Sequence, residues 1–366
     1  MLSDRLPDFP WDLLEPIAKI ARSHPAGLID LSVGTPVDSV AEVVTKAASL
    51  NLDAHAYGLS AGSKGLIEAQ TNWLIKTTGV VEGNFNTIAS IGSKEAVSLM
   101  PLLLGLGSNS VVVIPEIAYP TYEVGAKVVQ AEVIRADHPD LVSAKKVDLV
   151  WLNSPGNPTG AIADIETLKA WIMFARKHNS VVVCDECYLT LDWEASASGQ
   201  PPVSILDKRV NNGDLSNILA LHSLSKRSSM AGYRAAAISG SKPLIEKILL
   251  ARKHLGLISS SVTQAASVAA WGDEDHAETQ KQIYAKRRAT MQAAFLNAGF
   301  EIKESSAGLY LWMTRNEDGW ESAAWLAQFG ILVAPGSFYG PKGKNFIRAA
   351  LTETDERINQ ISERLM

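Results

Sequence analysis

Seven short runs rich in Val, Ile, Leu and Ala, several of them separated by helix-length stretches, constrain this chain more than any other feature. They cover residues 87–91, 111–114, 128–134, 148–153, 181–185, 218–223 and 235–239. Several, such as Val111-Val-Val-Ile114 and Val181-Val-Val183, are continuously apolar rather than alternating. A strand that is apolar on both sides is buried on both faces, and such strands belong to a mostly parallel sheet covered by helices. Helical patterns fill several gaps, including residues 94–104 and 164–178, the second opening on Asp164 as an N-cap. The expectation is an α/β domain over residues 41–250 with a seven-stranded, mostly parallel sheet.

With 366 residues the chain exceeds the size at which a single core usually stops growing, so a second domain is expected. After Leu257 the pattern changes to long helices, notably 277–297, and then to shorter strands at 308–314, 331–334 and 345–349. Residues 251–366 therefore read as a smaller α+β domain. Residues 1–40 contain five prolines and little periodicity, and read as an arm that docks on this smaller domain and contributes to it.

The balance of charge is −5 with a pI near 5.9, which supplies no basic field for nucleic acid or anionic lipid. Small molecules are the expected partners. The apolar stretch 96–114 is interrupted by Pro101, glycines and Ser108-Asn-Ser110, so no membrane span is expected. The opening residues lack the pattern of a signal peptide, which makes the cytoplasm the expected location. Cys184 and Cys187 are the only cysteines. Their C-x-x-C spacing has no second ligand pair, and the pair ends a strand where a redox motif opens a helix, so packing at a strand end is the expectation. The seven histidines show no i,i+4 ligand spacing, and no metal is expected. Gly105-Leu-Gly107-Ser-Asn-Ser110 lacks the third glycine of a dinucleotide fingerprint and follows a helix, which excludes that reading.

In open α/β sheets, ligands gather at the carboxyl ends of strands. Three strand ends here carry Ser154-Pro-Gly-Asn157-Pro-Thr-Gly160, Cys184-Asp185-Glu-Cys-Tyr188 and Ser223-Leu-Ser225-Lys226-Arg-Ser-Ser-Met-Ala-Gly232-Tyr-Arg234. The combination N-P-T-G, D-x-x-Y and S-x-S-K-x(5)-G-x-R, in this order and at these separations, resembles the fold-type I, pyridoxal phosphate (PLP)-dependent class I/II aminotransferases. The resemblance extends from Gly34 to Arg348.

It implies a role for each matched position. Lys226 matches the lysine that holds PLP covalently and, once released, moves the proton on the substrate. A free lysine amine is too basic for that task near neutral pH, so a desolvated pocket must lower its pKa. Asp185 matches the carboxylate that keeps the cofactor's ring nitrogen protonated. Tyr188 and Asn157 match donors to the cofactor's 3′-oxygen, and Tyr119 matches the aromatic stacked on the ring. Ser93 and Lys94, where a strand turns into a helix, match a phosphate cup of free amides, completed by Ser223, Ser225 and Arg234. Arg348 matches the arginine that grips the substrate α-carboxylate, Asn157 adjoins it, and Gly34 matches a close backbone approach to that group. Tyr57 matches a tyrosine that reaches the phosphate of a neighbouring subunit, which implies a homodimer.

Ser228 stands two residues after Lys226, where most relatives carry an aromatic, and Arg227 lies between them. The run Ser-Lys-Arg-Ser-Ser-Met-Ala-Gly-Tyr-Arg resembles the bacterial N-succinyldiaminopimelate aminotransferases of lysine and diaminopimelate biosynthesis. That implies exchange of nitrogen between glutamate/2-oxoglutarate and N-succinyl-2-amino-6-ketopimelate, with the smaller Ser228 widening the pocket. An aspartate or aromatic aminotransferase, a C–S β-lyase and a non-catalytic PLP-binding regulator are the alternatives. The regulator requires a DNA-binding module, for which the roughly 40 residues ahead of the first motif are too few.

Overall fold

The computed structural model describes residues 1–144, 146–193 and 201–366. In chain order its strands are β1 (Ile29–Asp30), β2 (Asn86–Ile91), β3 (Val111–Ile114), β4 (Glu132–Arg135), β5 (Leu149–Asn153), β6 (Val181–Asp185), β7 (Ile218–Ser223), β8 (Ala235–Gly240), β9 (Glu301–Lys303), β10 (Tyr310–Thr314), β11 (Ile331–Leu332), β12 (Ala334–Pro335) and β13 (Ile347–Ala350).

Strands β2 to β8 form one seven-stranded sheet in the order β2-β8-β7-β6-β5-β3-β4. Six run parallel to one another; β8 is antiparallel to both β2 and β7. The reversal follows from chain length. Residues 224–234 join β7 to β8 through one short helical turn, Leu224–Arg227, and a 3-10 turn, Ala231–Tyr233. A parallel crossover needs a dozen or more residues, so this connection can return only antiparallel. The expected strand 128–134 begins later, at Glu132, because Val128 ends the helix Thr121–Val128 and packs against the core.

The helix expected at 164–178 is Ile165–His178, with the Asp164 side chain accepting from the Thr167 amide at 2.7 Å. Its Leu168, Trp171, Ile172 and Ala175 face the sheet at helical spacing. Core packing carries the large unit past residue 250. Helix Ser261–Gly272 joins the same core through Ala266, Ala270 and Trp271, and packs against Glu42–Ser49 and Lys64–Thr78.

A second core surrounds the antiparallel sheet β12-β13-β10-β9. The expected strand 331–334 divides: β11 pairs in parallel with β1 from the N-terminal arm, whereas β12 pairs with β13. Ile29 and Leu31 from the arm, and Tyr284 and Phe295 from the long helix Asp275–Asn297, are fully buried in this core. The carboxyl ends of β5, β6 and β7 open toward the junction of the two cores.

Candidate active site

A cavity of about 680 Å³ occupies that junction. Apart from Tyr57, every residue that the motifs match to a cofactor or α-carboxylate role lines it. The end of β6 supplies Asp185 and, a turn later, Tyr188; the end of β7 supplies Ser223, Ser225 and Lys226. Asn157 follows β5, Ser93 and Lys94 open the helix after β2, and Arg234 precedes β8. The smaller unit contributes Arg348 from β13, and the segment after β1 contributes Gly34. Tyr57 is 98% exposed in the single chain and lies outside the cavity.

The Lys226 amine donates to the Gly34 carbonyl. Burial, then the nearby Arg348 guanidinium, pull its pKa from 10.5 down to about 8. Asp185 is 6% exposed, and burial pushes its carboxyl above the usual range. Its oxygens accept from the Tyr122 hydroxyl at 3.0 Å and the Cys187 amide at 3.2 Å, and no cation pairs with it among the described residues. A buried carboxylate facing a cavity in this state is poised for a positively charged N–H.

Another part of the cavity suits an anion. Gly92 has φ of 74°, a left-handed conformation that glycine adopts freely, and a Cβ there would lie 2.5 Å from the Arg234 guanidinium. Behind it the helix Ser93–Leu103 presents its free amides and positive dipole end. Ser223 and Ser225 share a hydroxyl hydrogen bond of 3.0 Å beside this end. Burial followed by the Arg234 charge lowers the Lys94 pKa. An amine of lowered pKa, a buried carboxylate and an anion cup, with Tyr119 on the same wall, fit the aldehyde, ring nitrogen and phosphate of PLP.

Arg348 is 2% exposed. It donates to the Ser32 carbonyl at 2.6 Å and to Asn157 Oδ1 at 3.0 Å, while its Nε has no partner. Tyr310 lies across its guanidinium at 3.9 Å, and the Tyr310 hydroxyl meets that of Tyr188 at 3.2 Å. A Cβ on Gly34 would lie 2.5 Å from the same hydroxyl, so the glycine is required by a tyrosine as well as by backbone approach.

Sequence reasoning missed Tyr122, Tyr310 and the arm residues Leu6, Phe9 and Trp11, which form the outer wall. Tyr122 sits one helical turn after Tyr119, a spacing that was a usable signal; Tyr310 opens an apolar strand and carried none. Arg227 and Ser228 point away from the cavity, which corrects the expectation that Ser228 widens it. Arg227 is packed over Trp73 and Trp271 and pairs with Glu274 at 3.0 Å, while Ser228 bonds to His276. Both cysteines are free, Cys184 buried in β6 and Cys187 at the cavity. Among the described residues no group of three or more His, Cys, Asp or Glu is arranged to hold a metal ion, and no helix is long and apolar enough to cross a membrane.

Comparison with known proteins places these features in a family. The profile of "Aminotransferase class I and II" matches residues 26–365. A probable aminotransferase of Mycobacterium tuberculosis is 45% identical over 98% of this chain and 84% of its own length. The 4-dedimethylamino-4-oxo-anhydrotetracycline transaminase OxyQ of Streptomyces rimosus is 41% identical over 98% and 99% of the two chains. Among solved structures, a probable N-succinyldiaminopimelate aminotransferase of Thermus thermophilus superposes with a TM-score of 0.85 at 25% identity, covering 98% and 99%. With its profile matched over nearly all its length and its cavity suited to PLP, this chain belongs to the class I and II aminotransferases, enzymes that depend on that cofactor.

Proposed function

We propose that the enzyme moves an amino group from glutamate to a 2-keto acid at a single site, with Arg348 gripping the α-carboxylate of both substrates. One observation carries this reading. Arg348 is a buried guanidinium with no carboxylate partner among the described residues, and it faces the same cavity as Lys226. A buried cation is costly unless paired, and the planar fork of arginine matches a carboxylate.

When bound, PLP supplies an aldehyde that links to amines and a ring that accepts electrons. Lys226 is the residue for proton transfer at the substrate Cα, because an amine with a pKa near 8 is a competent base at mildly alkaline pH. Asp185 would hold positive charge on the ring nitrogen, and the Tyr122 hydroxyl, donating to it, opposes the upward pull of burial and favours its ionised form. Tyr188 and the Asn157 amide would donate to the cofactor's ring oxygen, and Tyr119 would offer it an aromatic face. Ser93, Lys94, Ser223, Ser225 and Arg234 hold the phosphate, and Tyr57 from a second subunit completes the cup. The exposed Leu50, Leu52, Tyr57 and Leu59 support burial of this segment in a cytoplasmic homodimer.

For the acceptor, N-succinyl-2-amino-6-ketopimelate is proposed, supported by the likeness to the Thermus thermophilus enzyme and by the Lys226 motif. A second reading is favoured by the outer wall of Leu6, Phe9, Trp11 and Val33, which is apolar and suits a bulky cyclic or aromatic acceptor. OxyQ, whose name records an oxo-anhydrotetracycline, is consistent with it. The test charges holoenzyme with glutamate and offers succinylated ketopimelate, aromatic keto acids and cyclic ketones, following cofactor absorbance and amino-product formation. No turnover of the succinylated acid sinks the first reading. Keto-acid and sulfide release from cysteine-type substrates without transamination sinks both.

A further inference from the structure

Asp273, His276 and Ser228 form a hydrogen-bonded chain that ends two residues from Lys226. His276 Nδ1 lies 2.8 Å from Asp273 Oδ2, and His276 Nε2 lies 2.8 Å from Ser228 Oγ. The His276 side chain is 6% exposed and Ser228 2%. The Asp273 carboxylate can only accept, so its contact with Nδ1 places a ring proton there, and it also accepts from the His276 amide at 3.2 Å. In the neutral ring Nε2 accepts, and the Ser228 hydroxyl is the donor that faces it.

The arrangement has the connectivity of a hydrolytic triad without its function. Ser228 is nearly buried although it borders a cavity of about 690 Å³, and the amides of Ser228 and Ser229 donate to Leu224 and Lys226 carbonyls, leaving neither free to hold an oxyanion. The neighbouring contacts point to another task. His276, Gln280, Tyr284 and Arg287 lie on one face of the helix Asp275–Asn297. Tyr284 donates to the Lys226 carbonyl at 3.3 Å. Gln280 and Arg287 hold the Asp38 carboxylate at 2.9 and 2.8 Å, and Ser229 donates to the Asp38 carbonyl at 2.7 Å. Asp38 lies four residues beyond Gly34, whose carbonyl receives the Lys226 amine. One polar face of a single helix therefore ties down the turn that carries Lys226 and the segment that Lys226 touches.

We propose that His276, oriented by Asp273, is a positioning residue that fixes the Lys226 turn through Ser228. This rests on the reading of Lys226 as the lysine that links to PLP. It also gives Ser228 a role: its hydroxyl is the donor that faces a buried imidazole, and a phenylalanine at that position would have none to offer His276.

The test compares wild type with Ser228→Ala, Ser228→Thr and His276→Phe as full-length enzymes. Three quantities are read: the rate at which added PLP develops visible absorbance with the apoenzyme, the affinity for pyridoxamine phosphate, and kcat against KM in the holoenzyme. Pyridoxamine phosphate needs the same cup but no link to lysine. In Ser228→Ala and His276→Phe, the capture rate and kcat should fall about tenfold or more, since misplacement of about 1 Å costs up to about a hundredfold. Pyridoxamine phosphate affinity and KM should stay within about twofold, and Ser228→Thr should recover most of the loss. A parallel fall in pyridoxamine phosphate affinity and thermal midpoint, or unchanged capture and kcat, overturns the proposal. Should Ser228→Ala fail to fold, Asp273→Asn addresses the same chain from its half-exposed end, with the same divergence expected. A Lys226→Ala variant that develops the visible absorbance with PLP as wild type does would instead refute the assignment of Lys226.

Discussion

Replacing Lys226 by Met should change how the stability of the apoenzyme depends on pH. The Lys226 amine has its pKa lowered from 10.5 to about 8, with burial the largest cause and Arg348 the next. A cation held below its unfolded pKa is destabilising while charged. The associated stability is therefore present above the unfolded value and lost as pH falls toward the folded one. At about 1.4 kcal/mol per pH unit, the interval between 10.5 and about 8 corresponds to about 3 kcal/mol. Methionine keeps a long side chain and removes the titration, so other groups that titrate in this range cancel in the difference. Urea unfolding of both proteins without cofactor, at one fixed protein concentration, gives the comparison across this window. The stability of wild type relative to Lys226→Met should rise by about 3 kcal/mol from its lower to its upper end. A flat difference would mean that the amine is solvated as freely in the folded protein as in the unfolded chain. The account of Lys226 as a base prepared by burial would then be wrong.

Arg348→Lys should lower kcat/KM for amino acid donors by roughly 30-fold, about 2 kcal/mol, because a point charge replaces a fork in a buried site; steady-state kinetics reads it. Gly34→Ala forces a methyl group to within 2.5 Å of the Tyr310 hydroxyl, and should cost about 1–3 kcal/mol in urea unfolding while raising KM. Tyr122→Phe removes a 3.0 Å hydrogen bond to the Asp185 carboxylate, about 1.5–3 kcal/mol, and should speed cofactor loss measured by absorbance on dilution. An unchanged rate would show that the Cys187 amide alone suffices to hold Asp185.

Much of the architecture is legible locally. Continuously apolar runs such as Val111–Ile114 and Val181–Asp185 announce strands buried on both faces, and Asp164 announces the start of a helix, because burial and capping act within a few residues. The residues at the ends of β5, β6 and β7 were equally visible. A parallel sheet delivers the carboxyl ends of its strands to one edge, so polar motifs that follow strands are brought together by topology alone.

Other features depend on which distant segments meet. The direction of β8 came from a connection too short to cross over, and the division of residues 331–334 between two sheets came from the arm strand β1 competing for part of it. Tyr310 and Gly34 constrain each other across 276 positions, a relation that no local spacing records. Ser228 shows the contrast most clearly. As sequence it marks a departure beside Lys226 and invites a role in the substrate pocket. In three dimensions it turns the other way and meets His276 at 2.8 Å, on a helix that begins 47 residues later. Sequence determined that Asp185 and Lys226 follow neighbouring strands and so share one edge of the sheet; that Arg234 joins them was what the resemblance of the motifs implied. Only tertiary packing decided which face of the Lys226 turn each neighbour would occupy, because that depends on how a helix of the smaller unit is laid across the larger.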